Sequence, residues 1–119
     1  MEKTEVEAVG ADWVPQACTL PATQQQLRVA EFDALFAEAV TGAQRLAPGR
    51  IRLDLRPRPG VAGRAADLAA AETSCCSFFT FALTVTGGSL SLDIEVPGSH
   101  LEVLDALAAR ALAAVGTEG

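Results

Sequence analysis

Several residue types on which protein chemistry often depends are scarce here. Histidine occurs once, at His100, tryptophan once, and cysteine three times in 119 residues. One imidazole makes a Cys-His zinc site hard to build, and neither Cys-x-x-Cys nor His-x-x-x-His spacing occurs. No Ser-His-Asp set or carboxylate pair stands out. Gly60 and Gly63 lack the rest of a phosphate loop or dinucleotide fingerprint. Aromatic residues reach only 5%, and much of the apolar half is alanine, so a small, helix-rich core is expected. Basic residues are outnumbered, nine against fifteen acidic, for a net charge of −6. That balance argues against a general nucleic-acid binder. No apolar run approaches the roughly 18 residues of a membrane span. Residues 1–10 are acidic and lack the basic and apolar parts of a signal peptide. The expectation is a cytoplasmic protein with neither nucleic acid nor membrane as partner.

What is present suffices for one domain. Half the residues are apolar and 20% charged, enough for a core and too apolar for general disorder. Residues 1–12 read as a disordered acidic tail and 13–115 as a single α+β domain. Trp13 to Leu20 is a short apolar stretch that adds at most a ragged strand. Thr23 and Gln26 match a capping box opening a first helix. Val29, Phe32, Leu35, Phe36, Ala39, Val40 and Ala43 then recur at helical spacing, until Pro48-Gly49 stops it.

Residues Arg50 to Arg56 alternate, with Ile51, Leu53 and Leu55 on one face and Arg50, Arg52, Asp54 and Arg56 on the other. A second helix spans roughly Val61 to Cys76, with Ala65, Leu68, Ala69 and Glu72 along one stripe. Phe79, Phe81, Leu83 and Val85 alternate with polar or small residues up to Gly87-Gly88, a hairpin turn. The return strand sets Leu90, Leu92, Ile94 and Val96 on one face. Ser99 and Glu102 match a second capping box, and the last helix buries Leu101, Leu104, Leu107 or Ala108, Ala111, Leu112 and Val115 before Gly116. The order (β)αβαββα, with one apolar face per strand, predicts a two-layer α+β sandwich: a small, mostly antiparallel sheet with helices on one face.

The strongest chemical signal is Glu72-Thr73-Ser74-Cys75-Cys76-Ser77-Phe78-Phe79, where the second helix gives way to the hairpin. Three cysteines in a chain expected to be cytoplasmic do not describe a disulfide framework. Adjacent cysteines do not easily bond to each other, because the usual Cα separation of a disulfide exceeds that of neighbours. As thiolates, Cys75 and Cys76 with Cys18 would make a three-sulfur set for a soft ion: Hg(II), Cd(II), Cu(I), Zn(II) or As(III). If one of the pair points into the core, Cys18 and the other make a two-thiolate site suited to a linear ion. Against this stands the plainer reading of three small buried hydrophobes.

Glu72 shares a helix face with the pair and is either an accessory ligand and proton acceptor or a helix-surface charge. His100 reads as an exposed first-turn residue. Arg50, Arg52, Arg56, Arg58 and Arg64 hold more than half of the nine positive charges. A solvated sheet face balanced by Asp54, Asp93 and Glu95 explains them more simply than an anion site does.

Ala17-Cys18-Thr19-Leu20, Ala30-Glu31-Phe32, Leu68-Ala69-Ala70-Ala71-Glu72 and Cys75-Cys76-x-Phe78-Phe79-x-Phe81 together resemble a small actinobacterial domain. In similar form that domain follows the DNA-binding part of some MerR-type, mercury-responsive regulators. The resemblance runs from about Trp13 to Leu112. It implies a thiol site for a soft metal or metalloid, with Cys18, Cys75 and Cys76 as the matching positions. This chain has no helix-turn-helix and no long dimerisation helix, so the resemblance does not extend to DNA binding.

Three functions follow as expectations. The first is a soft-metal-binding protein serving heavy-metal resistance, buffering or sensing, with no catalytic residues. The second is a thiol enzyme or redox sensor, including organomercurial cleavage with Glu72 as proton donor. A thiol at a helix C-terminus meets the negative end of the dipole, which opposes thiolate formation and counts against this reading. The third is a metal-free interaction module, with a homodimer as the partner state.

Overall fold

The structure, a computed structural model, describes residues 22–118, and for 22–27, Cys75 and 116–118 the backbone alone. The expected acidic tail, the ragged strand at 13–20 and Cys18 lie outside the described residues.

The chain runs α1 (Ala22–Ala39), β1 (Val40–Ala47), β2 (Arg50–Leu55), α2 (Val61–Cys75), β3 (Thr80–Thr86), β4 (Ser89–Glu95), a 3₁₀ turn (Gly98–His100) and α3 (Leu101–Glu118). The four strands form one antiparallel sheet in the order β1-β2-β4-β3. Two hairpins, β1-β2 and β3-β4, are therefore joined through their later strands. The α+β class and the antiparallel sheet agree with the sequence pattern.

Register turns alternation into rows. Ile51, Ile94 and Phe81 align across the sheet, as do Leu53, Leu92 and Leu83, and then Leu55, Leu90 and Val85. These rows face the helices. α3 packs over β1 and β2, α2 over β3, and α1 against both other helices. Phe32, Leu35, Phe36, Leu104 and Leu107 are fully buried between the layers. The opposite face is polar. There Asp93, though only 7% exposed, accepts from Arg50 Nη2 at 2.8 Å and from Arg52 Nε and Nη2 at 2.8 and 3.0 Å. Those pairs are the balanced, solvated sheet face that the sequence suggests.

The first helix is shorter than its spacing implies. It ends at Ala39, and Val40–Ala47 forms β1 against β2. Pro48-Gly49 is the turn of that hairpin and not a helix stop. Val40 and Thr41 are β-branched and Gly42 is a poor helix former, so local preference does not hold the helix here. Pairing with β2, and the Arg56 N–H donating to Ala39 O at 2.8 Å, fixes the strand. At Gly49 the sheet closes tightly: a Cβ there would lie 2.6 Å from Val96 O.

The second capping box is replaced by the 3₁₀ turn, in which the His100 N–H donates to Pro97 O at 3.0 Å. α3 continues past Gly116 to Glu118. Leu112 is exposed, and Val103 takes the buried place. α2 closes at Cys75, one residue before the expected end. α1 begins at Ala22, which puts Thr23 inside the helix and not at its cap.

Candidate functional site

The last turn of α2 carries the site. Its core stripe, Ala65, Leu68 and Glu72, follows helical spacing, so the helix brings a carboxylate to the buried side just before the cysteines. Glu72 is 0% exposed, which excludes the helix-surface reading. Its Oε1 accepts from Arg28 Nη1 of α1 at 3.0 Å, and Arg28 also reaches Glu31 at 3.6 Å. Burial pushes the Glu72 carboxyl above the ordinary glutamate range, and the Arg28 charge and hydrogen bond offset only part of that rise. A buried carboxylate whose pKa is raised by burial is a group that can take up a proton.

Cys75 is the last residue of α2, and Cys76 caps it, donating its N–H to Glu72 O at 2.8 Å. Cys76 has left helical geometry, with φ −124° and ψ 83°. Its side chain is 1% exposed and joins the core. Cys76 is disulfide-bonded. A single bond is not the disulfide framework that the sequence argues against, but it takes Cys76 out of the plainer reading of a free buried thiol. The Thr73 and Ser74 hydroxyls both donate to Ala70 O, at 3.1 and 3.3 Å.

Aromatic rings lead away from this junction. Phe78 stacks on His100, with centroids 4.1 Å apart and planes at 17°. It also meets Phe79 at 4.8 Å, Phe79 meets Phe81 at 5.4 Å, and Phe81 stacks on Phe32 at 6.3 Å. His100 is thus half-buried against a ring and not a free first-turn residue. The Phe-Phe-x-Phe spacing sends Phe79 into the core and leaves Phe78 and Phe81 partly buried against it.

Of the sequence-derived site residues, Glu72 and Cys76 are both buried and are linked by the Cys76 N–H donating to Glu72 O, with Cys75 adjoining them along the backbone. Cys18 lies outside the described residues. Among the described residues, no three His, Cys, Asp or Glu side chains converge on one point. Arg28 was not anticipated. Its signal was available: Arg28, Phe32 and Leu35 fall on one helical stripe, so the charge at its end had to meet something buried. Among the described residues, no helix is long and apolar enough to cross a membrane. No family model, curated protein or solved structure matches the chain.

Proposed function

We propose that this chain binds a soft metal or metalloid ion through cysteine thiolates, with Cys76 and its disulfide partner as the chelating pair once reduced. One observation carries the reading: Cys76, buried at the end of α2, is bonded to a second sulfur. Two sulfurs that close into a disulfide lie near enough, when reduced, to share one ion. Cys75 is a poor candidate for that partner, because neighbouring Cα atoms are about 3.8 Å apart and disulfides usually need roughly 4.4 Å or more. Cys18 is the remaining cysteine and the partner we assign. Cys75 supplies the third thiolate and Glu72 an accessory proton acceptor. The donor set favours Hg(II), Cd(II), Cu(I), Zn(II) or As(III). A reducing, cytoplasmic setting suits this role, because it keeps the pair open for an ion.

The disulfide itself favours a second reading, a redox-responsive dithiol, since disulfides of cytosolic proteins are mostly catalytic or sensing. Two measurements on the full chain separate these. Peptide mapping without reductant identifies the Cys76 partner, and a Cys75–Cys76 link contradicts the assignment. Calorimetric titration of the reduced protein with Cd(II) tests binding. Heat lost on Cys76→Ser and Cys18→Ser supports a metal site; no heat from the reduced wild type leaves the redox reading.

A further inference from the structure

The two edges of the sheet are built differently. β1, at one edge, carries Arg45 and has register shifts between Val40 and Gly42 and between Arg45 and Ala47. Charges and bulges of this kind keep an edge from pairing with another strand. β3, at the other edge, has neither. Thr80-Phe81-Ala82-Leu83-Thr84-Val85-Thr86 contains no charge, proline or glycine, and pairs with β4 in unbroken register. Its outer side pairs with no described strand. Val85 is 69% exposed, although it lies on the face that packs against the helices.

We infer that β3 pairs antiparallel with β3 of a second copy of this chain, joining two four-stranded sheets into one of eight. The occupant follows from the sequence of the strand. A two-fold axis through Leu83 sets Leu83 opposite Leu83, Phe81 opposite Val85, Ala82 opposite Thr84 and Thr80 opposite Thr86. Aromatic with β-branched and threonine with threonine are favourable cross-strand pairs, and no like charges meet. Each pair also joins residues of the same face, so helices stay with helices.

The backbone agrees with this register. Gly87 and Gly88 have φ of 55° and 80°, the two positive values of a type I′ turn. Thr86 and Ser89 flank that turn as a hydrogen-bonded pair, so Thr86, Thr84, Ala82 and Thr80 turn their amides toward β4. Phe81, Leu83 and Val85 turn theirs outward, and the two-fold pairs these residues with one another. The apolar row Leu55-Leu90-Val85 then continues into Phe81 of the partner subunit. That ring arrives beside a hollow of about 130 Å³ lined by Val85, Leu90, Pro57, Ala62 and Arg58.

Light scattering on the full chain across a concentration series, combined with amide exchange, tests the pairing. The wild type is expected to approach twice the chain mass, with slow exchange at Phe81, Leu83 and Val85. Val85→Lys, at an exposed position, is expected to return the mass to one chain with an unchanged circular dichroism spectrum and fast exchange at Phe81 and Leu83. Val85→Ile is expected to stay dimeric. A monomeric wild type overturns the inference. So does a Val85→Lys protein as dimeric as the wild type, or a dimer whose β3 amides exchange fast because it uses another surface or partner segment.

Discussion

Arg28 of α1 and Glu72 of α2 meet at 3.0 Å across the helix layer, with Glu72 fully buried and Arg28 mostly so. The pair ties the start of the described core to the turn that presents the cysteines. Removing one member of a buried pair leaves a charge or an acid without its counterpart. Arg28→Ala is therefore expected to cost roughly 3 kcal/mol, at the low end for such pairs because Arg28 retains some solvent contact. Urea unfolding measures it. A loss well under about 1 kcal/mol would place the pair with surface bridges.

The pH dependence of stability has two opposed parts. The folded state raises the Glu72 pKa through burial, so it holds that proton more tightly than the unfolded chain does. This contribution is complete below the ordinary glutamate range and is lost as pH rises through the raised value. The Arg52 hydrogen bond, with Arg50 assisting, lowers the Asp93 pKa. That contribution is present above the ordinary aspartate range and is lost as pH falls through the lowered value. In urea midpoints across pH, Glu72→Gln should flatten the decline toward neutral pH, and Asp93→Asn should flatten the acid-side loss. If each variant keeps the wild-type profile, other groups set it.

Gly49 is a second structural test. Its carbonyl accepts from the Val96 N–H at 2.9 Å, and an added Cβ would sit 2.6 Å from Val96 O. Backbone has to move to admit it. Gly49→Ala should destabilise the fold by about 1–3 kcal/mol, as overpacking does. A neutral result in thermal unfolding would show that the β1-β2 turn shifts freely.

Much of the fold was legible because its signals are local. The Arg50–Leu55 alternation and the stripe at Ala65, Leu68 and Glu72 each name an element by period, and Gly87-Gly88 names a turn by its residue type. β1 was hidden because Val40 and Ala43 also continue the helical spacing of Phe36 and Ala39. Only pairing with Leu55 and Leu53, which is non-local, decides between the two. Leu112 and Val103 exchanged places for a similar reason: a period fixes a stripe, and the neighbouring layer fixes which margin of it is covered. At the site, the Cys-Cys junction was visible and the role of Arg28 was not. The first is a sequence neighbourhood; the second is a contact between residues 44 positions apart.

The reading of the cysteines rests most directly on ultraviolet absorption of the reduced full-length chain titrated with Cd(II). Thiolate coordination produces a charge-transfer band that saturates stoichiometrically, strengthens with pH as thiols ionise, and disappears in Cys76→Ser and in Cys18→Ser. A band unchanged in both variants, or none in the wild type, would contradict a metal site built on Cys76 and its partner.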